Sequence, residues 1–156
     1  MRHLLIVLLI TSISACGFHL RGQLPLSEST NVIYLDSEKN AFSRDLEERL
    51  TLNGATLVGD PTAAKITLDI KDLRLERVTN TLDDRGKVNS FILVYAVDYS
   101  VIGADEKVIK TSSIQESRSY TFNATQILQQ EREEEELEEE MRKELVLRLV
   151  RQLSVL

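Results

Sequence analysis

The sequence predicts an α+β fold, a two-layer sandwich with two helices packed on one face of a mostly antiparallel sheet of about four strands. Three observations carry that expectation. Alternating apolar and polar residues fill the middle of the chain, from Lys65 to Phe122. Two segments with apolar residues every three or four positions flank that stretch, Phe42 to Leu50 and Leu137 to Leu153. Turn signals at Asn53-Gly54, TLDDRGK and GADE punctuate the pattern. Strands gathered between helices, rather than alternating with them, indicate helices segregated to one side of a sheet.

The elements follow in chain order. NVIYLD, Asn31 to Asp36, is β-rich and reads as a first strand. Phe42, Leu46 and Leu50 then form one helical stripe with charges between them; Ser37 or Asn40 is placed to cap its start and Asn53-Gly54 to stop it. Ala55 to Val58 begins another extended piece before the turn at Asp60-Pro61. In KITLDIKDLRLERV, Ile66, Leu68 and Ile70 share one face and Leu73 and Leu75 continue it one residue out of phase. That slip predicts a bulge near Lys71-Asp72. After a hairpin turning at Gly86, Phe91 to Val101 alternates on odd numbers while Ile92, Val94 and Ala96 occupy the other face, which predicts a central strand partly covered on both sides. Lys107 to Phe122 is a third, serine-rich strand, expected at an edge or against a partner. A helix runs from Ala124 to the end, with Leu137, Met141, Leu145, Leu149 and Leu153 as its stripe and Val146 and Val150 widening it. Its acidic half, Glu131 to Glu140, precedes Arg142, Lys143, Arg148 and Arg151, a polarity that suits the helix dipole and reads as a solvated face. The first strand, followed by a helical crossover, is able to pair in parallel with its neighbour.

The domain organisation is set by the start of the chain. Residues 1–15 have the form of a cleaved signal peptide: Arg2 as the charged region, Leu4 to Ile10 as the apolar run, then small residues before Cys16. That apolar run is far short of the ~20 residues a membrane helix needs. Residues 16–30, with Pro25 and three hydroxyl residues in QLPLSEST, form a lipidated N-terminus and tether, and 31–156 a single periplasmic domain. Ile13-Ser14-Ala15-Cys16 resembles the bacterial lipobox. That resemblance implies diacylglycerol on the Cys16 sulfur and a third acyl chain on its amine, several chains holding where one would not. A thiol left after ordinary signal cleavage is the alternative. Gly17, in place of the aspartate that retains such proteins in the inner membrane, implies lipid anchoring at the outer membrane, facing the periplasm.

Composition narrows the chemistry. The chain has 156 residues, 28% charged and 42% apolar, enough for one core. A net charge of −6 argues against a broad nucleic-acid surface. With one Cys and two His, one of which (His3) belongs to the signal and the other (His19) lies beside the anchor, neither a nucleophile–histidine pair nor a His/Cys zinc site can be assembled. No glycine-rich phosphate loop is present, and nothing in the spacing of the 25 acids singles out a catalytic pair. The expectation is a non-enzyme with no metal and no cofactor, acting by binding or assembly. Arg74, Arg77, Arg85 and Lys87 stand out as basic positions on the long strand and its hairpin, where guanidinium forks could meet phosphates and Leu75, Val78 and Leu82 acyl chains. A solvated hairpin with Asp83 and Asp84 as charge partners is the simpler reading of the same residues.

After Cys16, the run GFHLRG is similar to the start of the mature chain in the LptE family of lipopolysaccharide-assembly lipoproteins, and RLTLNG (Arg49 to Gly54), the strand order and the hairpin placement extend the resemblance over the whole chain. The resemblance implies a 1:1 partnership with the outer-membrane β-barrel LptD, as plug and assembly factor for insertion of lipopolysaccharide into the outer leaflet. It also implies lipopolysaccharide contacts on the hairpin, for which Arg85 and Lys87, with Arg77 and Arg74, are the candidate residues. Because barrel lumens are polar, the outward sheet surfaces and SSIQESRS (Ser112 to Ser119) are then the expected barrel contact. The alternative is a barrel-independent outer-membrane lipoprotein binding lipid or another envelope component.

Overall fold

The computed structural model describes residues 26–123 and 125–156; the signal segment, Cys16, Gly17 and GFHLRG lie outside the described residues. Its elements are β1 (Val32–Asp36), α1 (Ala41–Leu52), β2 (Thr56–Leu57), a 3-10 turn (Pro61–Ala63), β3 (Ile66–Leu82), β4 (Val88–Gly103), β5 (Val108–Thr121) and α2 (Ile127–Leu153). The five strands make one sheet in the order β2-β1-β3-β4-β5. β1 runs parallel to both β2 and β3, and the β3–β4–β5 meander is antiparallel. The two-residue β2 is the strand by which the sheet exceeds four.

Local chemistry explains the boundaries. At the start of α1, Asn40 Oδ1 accepts the Ser43 N–H at 2.9 Å and Ser43 Oγ accepts the Asn40 N–H at 3.0 Å, a reciprocal cap. Asn40, not Ser37, is therefore the cap. At its end Gly54 takes φ +87, and the N–H groups of Gly54 and Ala55 close on the carbonyls of Thr51 and Leu50, each at 3.0 Å. The phase slip in β3 is a bulge: Ile70 lies opposite Tyr99 but Asp72 opposite Asp98.

Both helices lie on one face. Leu93, Val97, Tyr99 and Val101 of β4 meet Phe42, Leu46 and Leu50 of α1 and Met141, Leu145, Leu149 and Leu153 of α2 in one buried core, each large side chain contributing about 1.5–3 kcal/mol. The Tyr99 hydroxyl donates to Gln152 Oε1, so the largest fully buried side chain keeps its polar end satisfied. Arg142 Nε donates to Asp45 Oδ2 at 2.7 Å and clips the helices together. Leu26 is buried, and its N–H donates to the Asn53 carbonyl at 3.3 Å. The other face of β4 carries no second layer among the described residues, yet Ala96 and Ser100 are buried there and Ile92 and Val94 half-buried, so the strand is partly covered on both sides as expected.

Candidate functional site

The β3–β4 hairpin is built to present two cations. Its turn closes with the Asp83 N–H on the Lys87 carbonyl at 2.7 Å and the Gly86 N–H on the Asp83 carbonyl at 2.9 Å, with Gly86 at φ +76. The Asp83 carboxylate accepts the backbone N–H groups of Arg85 and Lys87 at 2.9 and 2.8 Å. That carboxylate therefore organises the loop. No salt bridge among the described residues joins it, or Asp84, to the Arg85 or Lys87 side chain. Both side chains stand exposed at the tip.

The other two basic candidates sit lower and on opposite faces of β3. Arg74 lies across from Ala96 on the open face. There it is paired with Asp72 and, at 2.9 Å, with Asp98. The Ser113 hydroxyl and then Arg74 hold the Asp98 carboxyl below the usual carboxylate range. Arg77 lies across from Leu93 on the helix face. Its guanidinium is 3.2 Å from Glu134 and 4.9 Å from the centre of the Phe91 ring, and the Tyr120 hydroxyl donates to the same Glu134 oxygen at 2.8 Å. The structure thus brings Arg85 and Lys87 together and separates Arg74 from Arg77, each of these with acidic partners of its own.

Alternation splits SSIQESRS into two populations. Buried Ile114 and Tyr120 place Ser112, Glu116 and Arg118 on the helix side. Thr111, Ser113, Gln115, Ser117, Ser119 and Thr121 form an exposed row on the open face. Beside that row run Ile92, Val94 and Ala96 of β4, then Arg74, Glu76 and Val78 of β3. The result is a broad, mostly polar sheet face with an apolar centre.

A charged network missed in the sequence ties β5 to α2. Glu116 binds Arg118 at 2.7 Å and also Arg148, and Arg118 reaches Glu144 at 2.7 Å. The hydrogen bond from Arg118, then the charges of Arg148 and Arg118, hold the Glu116 carboxyl below its ordinary value despite burial acting the other way. The i, i+2 pair Glu116/Arg118 was the only hint in the chain, since Arg148 and Glu144 are about thirty positions away. Among the described residues no three acid, His or Cys side chains converge as for a metal ion, and no helix is long and apolar enough to cross a membrane.

A family model described as "LptE: Lipopolysaccharide-assembly" matches residues 28–153. The chain is similar to the LPS-assembly lipoprotein LptE of Photorhabdus laumondii subsp. laumondii, with 31% identity across 98% of this chain and 87% of the relative. Among solved structures it resembles lipoprotein B from Nitrosomonas europaea, with a TM-score of 0.77, 27% identity and coverage of 88% of this chain and 90% of that one. Rare lipoprotein B from Shewanella oneidensis gives a TM-score of 0.72 at 28% identity, over 80% of this chain and 95% of the other.

Proposed function

This chain belongs to the LptE lipopolysaccharide-assembly family, and from that premise we propose that it is an outer-membrane lipoprotein, lipid-anchored through Cys16, that plugs the LptD β-barrel in a 1:1 complex and assists insertion of lipopolysaccharide into the outer leaflet. The observation that carries this reading is the extent of the family match, 28–153, which takes in every described strand and helix. Two features of the structure support it. The uncovered sheet face, with its exposed hydroxyl row, has the chemistry a polar barrel lumen would accept. The hairpin tip offers Arg85 and Lys87 without acidic side-chain partners, as phosphate recognition requires. The role is one of assembly and binding, with no bond made or broken.

Lipopolysaccharide contact is assigned first to Arg85 and Lys87. Arg74 and Arg77 join only where a phosphate displaces their present carboxylates. The test is an affinity pull-down from mildly solubilised envelopes with a C-terminally tagged chain. A large β-barrel in equal amount is the expected result. Recovery of the lipoprotein alone, folded and barrel-free, would overturn the plug and favour a barrel-independent lipid-binding lipoprotein.

A further inference from the structure

The two long edges of the sheet are finished differently. On β5, three carbonyls are taken by side chains: Arg148 donates to Gln115 O at 2.8 Å, Arg118 to Ser117 O at 3.0 Å and Gln130 to Thr121 O at 3.1 Å. These bonds block the Gln115–Thr121 part of that edge to another strand. On the opposite side, β1 ends at Asp36 opposite Asp69, and from Ile70 upward β3 has no neighbour but β4 among the described residues. The stretch Asp72–Thr79 lies between the bulge at Ile70/Asp72 and the irregularity at Thr79/Thr81, and no side chain among the described residues bonds its main chain.

The direction of its free groups follows from the meander. The Phe122 N–H donates to the Asn89 carbonyl at 2.8 Å, and the capped β5 carbonyls are all at odd positions. Odd residues of β4 therefore bond β5 and even ones bond β3. Through the pairs Ile92–Val78, Val94–Glu76 and Ala96–Arg74, the main-chain groups of Leu73, Leu75, Arg77 and Thr79 point away from the sheet. The acidic half of α2 lies on the same face of the sheet as Arg77. Glu134 reaches Arg77, and Glu138, one turn on, takes part in no salt bridge among the described residues.

We propose that the Asp72–Thr79 edge of β3 accepts an extended segment of the barrel partner by strand addition, a segment with basic side chains facing Glu134 and Glu138. This rests on the barrel reading above. The charge of α2 selects the basic segment over a second copy of this chain, whose own edge alternates in sign.

The test compares the wild-type complex with Leu75→Pro, which removes one outward N–H while leaving the β4 ladder intact. The variant should melt with the wild type and retain at least tenfold less barrel. Equal retention overturns the edge assignment and leaves the barrel reading standing; a wild type that captures no barrel overturns both. Should Leu75→Pro fail to fold, hydrogen exchange on the wild type decides. The Leu75 and Arg77 amides should slow at least a hundredfold in the complex, and unchanged exchange in an intact complex overturns the proposal.

Discussion

Replacing Arg85 and Lys87 together by glutamate should cost most of the affinity for lipopolysaccharide and almost none of the stability. The asymmetry comes from the turn. What holds the loop is the Asp83 carboxylate on the backbone N–H groups of residues 85 and 87, together with Gly86 in a left-handed conformation, and neither depends on the side chains replaced. A surface change of that kind shifts stability by no more than about 0.5 kcal/mol. Each charge-assisted bond to a phosphate is worth about 1.5 kcal/mol at the lower, solvent-exposed end of its range. Losing two removes about 3 kcal/mol, or on the order of a hundredfold in Kd. The assay is titration of purified protein with purified lipopolysaccharide at low and physiological salt, beside a thermal melt of each variant. The loss should shrink as salt rises, because exposed charges are screened over about 8 Å at physiological ionic strength. A Kd within threefold of wild type would refute the reasoning, as would an equal loss on Arg74→Glu alone, since Arg74 sits down the strand with two carboxylates already beside it.

Exchanging Ser113, Ser117 and Ser119 together for arginine should abolish barrel recovery in the pull-down while the melt stays near wild type, because all three lie exposed on the open face; recovery at wild-type level would remove that face from the interface. Stability should fall as pH drops below the ordinary glutamate value of 4.5, because the Glu116 carboxyl is held lower in the folded protein and the stabilisation it supplies above that pH is lost as it protonates. Glu116→Gln should flatten that slope in urea melts taken between neutral and acid pH, and an unchanged slope would assign it to other carboxylates. Asn40→Ala removes the α1 cap and should lower stability by about 1 kcal/mol, read as a shift in urea midpoint with unchanged steepness; no shift would mean Ser37 can take over the cap.

How much of this was legible in the chain depended on range. The bulge after Ile70 was visible because a strand alternates with period two and one extra residue throws every later apolar position onto the other face. The stripe Leu137, Met141, Leu145, Leu149, Leu153 was visible because a helix returns to the same face every 3.6 residues, and four of these five are fully buried. Gly54 and Gly86 could be read as turn residues because their backbone conformations, φ +87 and φ +76, are open to glycine at little cost. GFHLRG carried the family resemblance, and a match over residues 28–153 now shows the family.

The basic candidates were a different matter. Arg74 and Arg77 are three residues apart, so a strand sends them to opposite faces, but their acidic partners, Asp98 for one and Glu134 for the other, lie on other elements and could not be read from the chain. Alternation within SSIQESRS was readable in principle once Ile114 and Tyr120 were known to be inside, but which of two faces is inside is decided by where the helices sit.

The sequence by itself therefore determined the order and kind of the elements, their boundaries to within a few residues, and the family, since each of these is set by backbone periodicity, capping or a contiguous motif. Tertiary structure alone decided the strand order β2-β1-β3-β4-β5, the pairing of Arg77 with Glu134, the sealing of β5 by Arg148, Arg118 and Gln130, and the open edge left on β3. Apart from the bond of Arg118 to its neighbour Ser117, the first three join groups on different elements, and the β3 edge is open because β1 stops short of it. Such contacts depend on which surfaces pack against each other, and no local pattern in the chain encodes that choice.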